Sequence, residues 1–351
     1  MPNPAPLKLD EALSPAWLSW ALSQANGPVD VTGVEVLEEL GPSATKVRFK
    51  VTYGANRPEG LPDQYCLKGV FKPELLGEYL KQGTQVNEIG FFRDCAPVMS
   101  LNTPRCLYAG LDEETLAGII IMEDLIPAGG HFLTAMSAYT ADQAAGSVDQ
   151  IARLHGASWG DAKLAPFPWA KPRMAQLASL PWLEAGKLTD LLKGSRGDAL
   201  PDAYRDGARV LASMKALAER DEKYERCLVH GDAHAGNVFE QDGKIGLIDW
   251  QVLQRANWSL DFAYHVGAAL DVEDRRKNEQ DLLRFYLDRV KQYGGNPPAW
   301  DEAWALYRQS VSYGFFMWTI TLRVEPQIIE RFCTRLGTAV VDGGGWDLLG
   351  V

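Results

Sequence analysis

The chain has 351 residues, 46% of them hydrophobic and 23% charged, which is enough for two lobes around a large core. Its formal net charge of −11 excludes a nucleic acid as the expected partner, because a phosphate backbone is bound by a basic surface. The sequence has no bilayer-spanning apolar run, no signal-peptide pattern and no C-x-x-C pair among its five cysteines. We therefore expect a cytoplasmic protein with reduced thiols and no membrane contact.

The first predicted elements are a helix and a group of strands. Ser14 and Pro15 precede apolar residues at helical spacing over 15–22, which indicates an N-capped helix. A Gly/Pro-rich loop at 54–63 interrupts the strand region. The β-branched or apolar segments on its two sides are predicted to be strands, at 31–40, 46–53 and 64–71.

The third predicted strand contains a lysine, Lys68, among apolar residues. Burying an unpaired ammonium group is unfavourable, so this side chain either reaches solvent along its apolar stem or pairs with a carboxylate. The helix predicted at 84–94 offers Glu88 as the best partner, and Lys72 is the alternative lysine. Taken alone, these residues favour a lysine that reaches solvent at a strand edge and a solvated glutamate. Together with the polar motif at 230–249 described below, the sequence predicts a buried Lys68–Glu88 ion pair.

Two more predicted strands, 104–109 and 115–122, lead into the acidic segment M-E-D-L at 122–125. A flexible Pro/Gly turn follows at 127–131. Thr140-Ala-Asp-Gln143 is then a capping box that opens a helix ending near His155, whose ring we expect to be hydrogen-bonded in the core. The remaining predicted helices are 174–192, 201–220, 274–293, 299–322 and 325–336.

The segment 229–251 carries the most chemically capable side chains of the chain. The apolar residues 227–229 and 245–248 are predicted to be two short buried strands, with a turn at 241–243 between them. This arrangement would bring the polar residues to one edge of a small sheet. Those residues are His230, Asp232, His234, Asn237 and Asp249.

Phosphoryl transfer needs three of these groups at this spacing. A carboxylate accepts the substrate hydroxyl proton, a neutral oxygen a few residues later binds magnesium, and a second carboxylate on a neighbouring segment holds the same ion. Asp232 and Asn237 have the offset of the Asp and Asn in the kinase loop H-R-D-x-x-x-x-N, and Asp249 stands where the D-F-G aspartate would follow.

The pattern H-G-D-x-H-x-x-N followed by I-D-W resembles the aminoglycoside phosphotransferase and choline kinase-like superfamily. Three further segments, N-E-I-G-F-F-R at 87–93, M-E-D-L at 122–125 and Leu154-His155, look most like its ecdysteroid-kinase-like branch. The resemblance implies an α+β, protein-kinase-like fold of two lobes. Residues 1–125 would form an antiparallel sheet lobe that binds the nucleotide, with a hinge at about 122–127, and 126–351 a larger, mainly helical lobe that binds the acceptor.

By this resemblance the chain transfers the γ-phosphate of ATP to a hydroxyl of a small molecule, with Asp232 as the base. Mg²⁺ is expected on Asn237 and Asp249, and His234 is expected to support the loop or a phosphate oxygen. Asp261 is expected to hold the loop through hydrogen bonds. The residues expected to bind the nucleotide are Ser43 and Thr45 in the turn at 41–45, Lys68 and Glu88, and Glu123, Asp124 and Leu125 through their main chain.

Two other functions stay open on the sequence. The turn at 41–45 has one glycine where the kinase phosphate loop has three, which leaves room for a nucleotide-binding pseudokinase without catalysis. His230, Asp232 and His234 could instead form the metal site of a hydrolase. The acceptor is also undecided, because the aromatic C-terminal region favours a partly apolar molecule and the acidic composition a cationic one. His265, Tyr313 and Trp318 are weak candidates for contact with the acceptor, and the protein is expected to be a monomer or a homodimer.

Overall fold

The structure is a computed structural model that describes residues 2–40, 45–71, 77 and 83–351. The chain forms two compact units. The first contains Met1–Val98, Thr103–His131 and Trp250–Val252, and the second contains Met99–Asn102, Phe132–Asp249 and Leu253–Val351. Among the described residues, no helix is long and apolar enough to cross a membrane.

The first unit is built on a five-stranded antiparallel sheet with the order β1-β2-β3-β5-β4. Short helices α1 (Leu9–Ala12) and α2 (Pro15–Asn26) precede it, and Ser14 caps α2 by accepting a hydrogen bond from the Trp17 N–H. Inward-facing strand residues such as Phe49 and Leu67 form one apolar core with Trp17. The strands are β1 (Val31–Leu40), β2 (Thr45–Tyr53), β3 (Gln64–Gly69), β4 (Cys106–Leu111) and β5 (Gly118–Glu123).

A continuous helical segment follows the third strand. It begins as α3 (Thr84–Gly90), widens into a π-helical turn at Phe91–Cys95 and ends as α4 (Ala96–Met99). The short 3₁₀ segment Trp250–Val252 packs on it within the first unit, because the Trp250 ring stacks on Phe91 with 3.7 Å between centroids. The residues directly after Asp249 are thereby fixed against the helix that carries Glu88.

The second unit is mainly helical. The predicted capping box opens its first long helix, since Thr140 Oγ1 accepts from the Gln143 N–H and the Gln143 side chain accepts from the Thr140 N–H. The helices are α5 (Ala141–Ala157), α6 (Asp161–Leu164), α7 (Met174–Leu177), α8 (Ala185–Lys193), α9 (Gly207–Asp221), α10 (Ser259–Ala269), α11 (Val272–Gln292), α12 (Trp300–Ile320), α13 (Pro326–Gly343) and α14 (Gly345–Leu349).

The small sheets of the second unit correct the predicted pairing around the polar segment. Strand β7 (Cys227–Val229) pairs with β10 (Gln254–Ala256), while β8 (Val238–Gln241) pairs with β9 (Lys244–Leu247) and with β6 (His131–Phe132). The turn was placed correctly, because Asp242 and Gly243 both have positive φ, as a two-residue hairpin turn requires. However, that turn joins β8 to β9, so the polar residues come from two sheets and not from one edge.

Other predicted boundaries also change. The helix expected at 201–220 is a 3₁₀ turn, Asp202–Tyr204, followed by α9, whose start Asp206 caps through hydrogen bonds to two backbone N–H groups. The irregular helix expected at 174–192 is two helices, α7 and α8. The α+β class is confirmed, with the antiparallel sheet in the N-terminal part and mostly helices after it. All five cysteines are free thiols, as expected.

Candidate active site

The loop that follows β7 is held by a buried carboxylate, Asp261, near the start of α10. Its Oδ2 accepts from the His230 N–H at 2.5 Å and its Oδ1 accepts from the Gly231 N–H at 2.8 Å. Buried backbone N–H groups need partners, and bonds to a charged acceptor are the stronger kind. These bonds confirm the expectation that Asp261 holds the loop.

Asp261 is itself oriented by a second pair of buried groups. The Nε2 atom of His155 lies 3.1 Å from Asp261 Oδ2, and its Nδ1 atom lies 2.6 Å from the Tyr286 hydroxyl. The ring therefore donates through Nε2 to the carboxylate and accepts through Nδ1 from the tyrosine. His155 is hydrogen-bonded in the core, as the sequence predicts.

A second histidine, His265, supports the loop from the next turn of α10. Its Nδ1–H donates to the Ala233 carbonyl at 2.9 Å, and its Nε2 accepts from the Ser147 hydroxyl at 2.5 Å. Ser147 in turn accepts from the Tyr139 hydroxyl at 2.8 Å. Burial lowers the pKa of His265 to about 4, so the ring is neutral at pH 7. With both nitrogens engaged, this ring positions the loop and offers no nitrogen to an acceptor.

The carboxylate of Asp232 is held from two sides. Its Oδ1 accepts from the Tyr264 hydroxyl at 3.0 Å and its Oδ2 accepts from Asn237 Nδ2 at 3.2 Å. Burial raises the pKa of Asp232, but the charge and hydrogen bond of His234 outweigh burial and hold the pKa below its ordinary value. Asp232 is therefore ionised at neutral pH and can accept a proton.

Asn237 and Asp249 come together because a backbone hydrogen bond joins Asn237 to Ile248, the residue before Asp249. The Ile248 N–H donates to the Asn237 carbonyl at 3.0 Å, and the Ile248 carbonyl accepts from His230 Nε2 at 2.9 Å. Asp249 then adopts a left-handed backbone with φ of 67°, a conformation that aspartate tolerates better than most residues. Its negative charge acts on Asp232 and raises the pKa of that carboxyl. The three residues thus belong to one constellation.

The donor set of this constellation suits a hard cation. Asn237 directs its amide nitrogen to the carbonyl and carboxylate of Asp232, both of which are acceptors, so its amide orientation is fixed by chemistry. In the described part of the chain no hydrogen bond reaches Asn237 Oδ1. That oxygen and the Asp249 carboxylate are ligands of the kind Mg²⁺ prefers.

The alternative hydrolase metal site finds no support in this geometry. The Nδ1 atom of His230 accepts from the Asp232 N–H at 3.2 Å and its Nε2–H donates to a carbonyl, so neither lone pair is open to a metal. Over residues 2–40, 45–71, 77 and 83–351, no group of three or more His, Cys, Asp and Glu side chains is arranged to hold a metal.

His234 lies between Asp232 and an aromatic wall. Its Nδ1 accepts from the Gly236 N–H at 3.0 Å, and its Nε2 lies 3.6 Å from Asp232 Oδ2. The rings of Trp318 and Phe332 each have their centroid 5.2 Å from that of His234, and they lie 4.2 Å from each other. The structure thus places Trp318 beside the loop, together with Phe332, which no sequence motif singles out.

The predicted ion pair is present in the first unit. Lys68 Nζ lies 2.7 Å from Glu88 Oε1, and both side chains are only 4% exposed. Ser43 and Lys72 lie outside the described residues. Thr45 begins β2, and its backbone is paired with Gly69.

The predicted hinge residues also lie in the first unit. The N–H groups of Glu123 and Asp124 donate to the Arg105 and Gln64 carbonyls, so they are already used inside the unit. The Asp124 carboxylate accepts from Arg48 at 2.9 Å. Within the residues the structure describes, the Leu125 N–H has no hydrogen-bond acceptor. Leu125 is therefore the residue of the three with a main-chain donor to offer.

Tyr264 is a site residue that the sequence reasoning missed. Asp261, Tyr264 and His265 stand at i, i+3 and i+4, so they share one face of α10, and each contacts the loop 230–233. Because Asp261 was expected to contact the loop, this spacing could have predicted that Tyr264 contacts it as well. Arg173 was also missed, since it sits alone after a proline-rich loop without a motif.

The sequence matches the phosphotransferase enzyme family, APH, over residues 85–306, more than half of the chain. The protein therefore belongs to the APH phosphotransferase enzyme family. Among curated protein sequences, none matches it.

Three solved structures with similar folds are each distant in sequence. A choline kinase from Cryptosporidium parvum Iowa II is 12% identical, with 90% of this chain and 89% of that one covered and a TM-score of 0.50. The choline kinase LicA from Streptococcus pneumoniae is 15% identical, covering 89% and 94%, with a TM-score of 0.48. The macrolide 2'-phosphotransferase MphH from Brachybacterium faecium is 16% identical, covering 93% and 98%, with a TM-score of 0.45. At these identities the first of them shows a shared, kinase-like fold and nothing about the substrate.

Proposed function

We propose that the protein is a cytoplasmic kinase that transfers the γ-phosphate of ATP to a hydroxyl group of a small molecule. The observation that carries this proposal is the constellation of Asp232, Asn237 and Asp249, in a chain that belongs to a phosphotransferase family. The ecdysteroid-kinase-like branch remains a hypothesis based on the three sequence segments.

Asp232 orients the acceptor hydroxyl and takes up its proton. Tyr264 and Asn237 fix the two carboxylate oxygens, and His234 lies beside them with its Nε2 3.6 Å from Oδ2. The transition state of phosphoryl transfer is loose, so most of the rate enhancement comes from holding the hydroxyl in line and not from a strong base.

The other residues bind the nucleotide. Asn237 and Asp249 would hold Mg²⁺, which when bound supplies positive charge that offsets the nucleotide phosphates. Lys68, braced by Glu88, contacts the α and β phosphates, together with Ser43 and Thr45 from the turn at 41–45. The Leu125 N–H, with Glu123 and Asp124 beside it, binds the edge of the base through the main chain.

Replacing the proton acceptor tests the proposal. We expect Asp232→Asn to lower ADP release with Mg·ATP and a panel of alcohols by roughly two to four orders of magnitude, the usual range for a positioned proton acceptor. ATP affinity measured by calorimetry should change little. The matched control is Asp242→Asn, the same substitution at the exposed hairpin turn, which should leave turnover unchanged.

Near-normal turnover in Asp232→Asn would remove this residue from the proposed role. If the wild-type protein binds Mg·ATP but does not release ADP with any alcohol of the panel, a nucleotide-binding protein without catalysis becomes the better account. The test therefore separates the two functions.

A further inference from the structure

Arg173 is a buried arginine without a hydrogen-bond partner for its side chain. It is 6% exposed and stands at the N-terminal end of α7. Its Nε and Nη1 atoms are fully buried and have no hydrogen-bond partner. Within the described residues the third nitrogen, Nη2, also donates no hydrogen bond, and no carboxylate forms an ion pair with the group.

The stability of the fold does not explain this arrangement. A guanidinium group stays charged in proteins, and burying a charge without a partner is unfavourable. Arg220, also buried, shows what a structural arginine of this chain looks like. Its two terminal nitrogens donate to three side chains and one carbonyl, those of Gln309, Ser259, Ser310 and Leu306.

Arg173 lies next to the catalytic loop. Its N–H donates to Gln254 Oε1 at 3.2 Å, and Gln254 Nε2 donates to the Tyr313 hydroxyl at 3.4 Å. That hydroxyl donates to the carbonyl of Gly231, the residue before Asp232, at 2.7 Å. Burial lowers the pKa of the Arg173 guanidinium, and the charges of Tyr313 and Asp232 partly offset the decrease. The charge of Asp232 thus acts on the guanidinium, although the two groups do not form an ion pair.

The position of Arg173 favours the acceptor over the nucleotide. The metal-binding candidate Asn237 contacts Oδ2 of Asp232, whereas the backbone N–H of Arg173 is linked through Gln254 and Tyr313 to the carbonyl of Gly231. A planar guanidinium group binds a carboxylate through two parallel hydrogen bonds. One carboxylate also balances one guanidinium, while a phosphate ester would leave excess negative charge beside Asp232.

We infer that Arg173 binds a carboxylate of the acceptor, so that the preferred substrate is a hydroxy acid whose hydroxyl is oriented by Asp232. This inference rests on the proposed kinase function and adds the acceptor class. It assigns an anionic substrate to a protein whose net charge of −11 suggests a cationic one. The unpaired guanidinium carries more weight than the net charge, because it is a local feature beside the reacting groups.

Matched pairs of acids and neutral analogues test the inference. The probes are 3-phenyllactate with 3-phenyllactamide, pantothenate with panthenol, and cholate with cholamide. We expect the acid of at least one pair to have a kcat/KM about tenfold to a hundredfold above its neutral partner, the range for a charged, two-bonded contact. Arg173→Gln should remove that preference by raising the KM of the acid much more than the KM of its neutral partner. Arg173→Lys should restore part of it.

Thermal shifts with the same probes give a readout that does not require turnover. The acid should raise the Tm of the wild type more than its amide or alcohol does, and Arg173→Gln should abolish the difference. The exposed Arg284→Gln is the control and should behave as the wild type. If no probe is phosphorylated but the Arg173-dependent shift persists, the kinase proposal fails and the carboxylate site stands.

Three results would overturn the inference. The first is an equal or absent response to the acid and neutral member of every pair. The second is a fall in kcat of Arg173→Gln that is the same for acids and neutral acceptors, because that would place Arg173 on the transferred phosphoryl group. The third is a loss of Tm in unliganded Arg173→Gln as large as in Arg220→Gln, since Arg173 would then be a structural arginine.

Discussion

The buried polar groups that support the loop 230–233 and those around Arg173 differ in how completely they are hydrogen-bonded. Behind the loop, Asp261, His155 and His265 are fully hydrogen-bonded to backbone or to other side chains. Arg173, close by, has two buried nitrogens without a partner. A satisfied network fixes one geometry, whereas an unsatisfied group is unfavourable until something binds it. The difference indicates which buried polar residues support the site and which are open to a ligand.

Removing the central acceptor of the network should have the largest effect on turnover. Asp261→Asn places an amide nitrogen against one of the two loop N–H groups, so a buried donor loses its partner. We expect a loss of about 1–3 kcal/mol in the free energy of unfolding, the cost of an unsatisfied buried group, measured by urea denaturation. We also expect turnover to fall at least tenfold because the loop that carries Asp232 shifts. Unchanged turnover would show that the loop does not depend on this anchor.

Replacing Arg220 and Arg173, two of the buried arginines, by glutamine sharpens the comparison. Arg220→Gln breaks a network that connects α9 with α10 and α12, and we expect it to lower the free energy of unfolding by about 2–4 kcal/mol. Arg173→Gln removes an unpaired charge and should leave that free energy unchanged or raise it. Parallel urea titrations of the two variants measure the contrast, and equal destabilisation would contradict it.

The pH dependence of stability should carry a signature of His265 that is confined to acidic pH. Its pKa is about 4 in the folded protein and about 6.5 when unfolded, so between these values the unfolded chain binds more protons. Stability contributed by this group should therefore be complete above about pH 6.5 and fall as the pH decreases, by on the order of 3 kcal/mol at pH 4. His265→Gln keeps a donor and an acceptor and should flatten that part of the profile. The same slope in the variant would assign the effect to other groups.

The sequence predicted which polar residues lie together better than it predicted how the strands pair. Asp232, Asn237 and Asp249 were selected because an ordered motif of polar residues between apolar segments is rarely produced by turn preferences. The pairing of β7 with β10 was not predictable, because a strand of three residues is too short to show the alternation of apolar and polar residues that identifies a strand. For that reason the strand β8 was missed and β7 was paired with β9.

Site residues that belong to no motif could not be predicted from the sequence either. Phe332 is one apolar residue among many on an amphipathic helix, and only its distance to His234 distinguishes it. Arg173 follows a proline-rich loop, and its lack of partners is a property of the folded chain. The Lys68–Glu88 pair, in contrast, was predictable once the motif at 230–249 was considered, because a kinase-like site pairs such a strand lysine with a helix glutamate.

Magnesium-dependent binding of ATP, measured by calorimetry on the Asp249→Asn variant, is the most direct test of the central constellation. If Asn237 and Asp249 hold the cation beneath the nucleotide, the wild type should bind ATP much more tightly with Mg²⁺ than without it. The variant should lose that difference, and the turn variant Asp242→Asn should keep it. Intact magnesium-dependent binding in Asp249→Asn would contradict the account, because the cation would then be held by other residues.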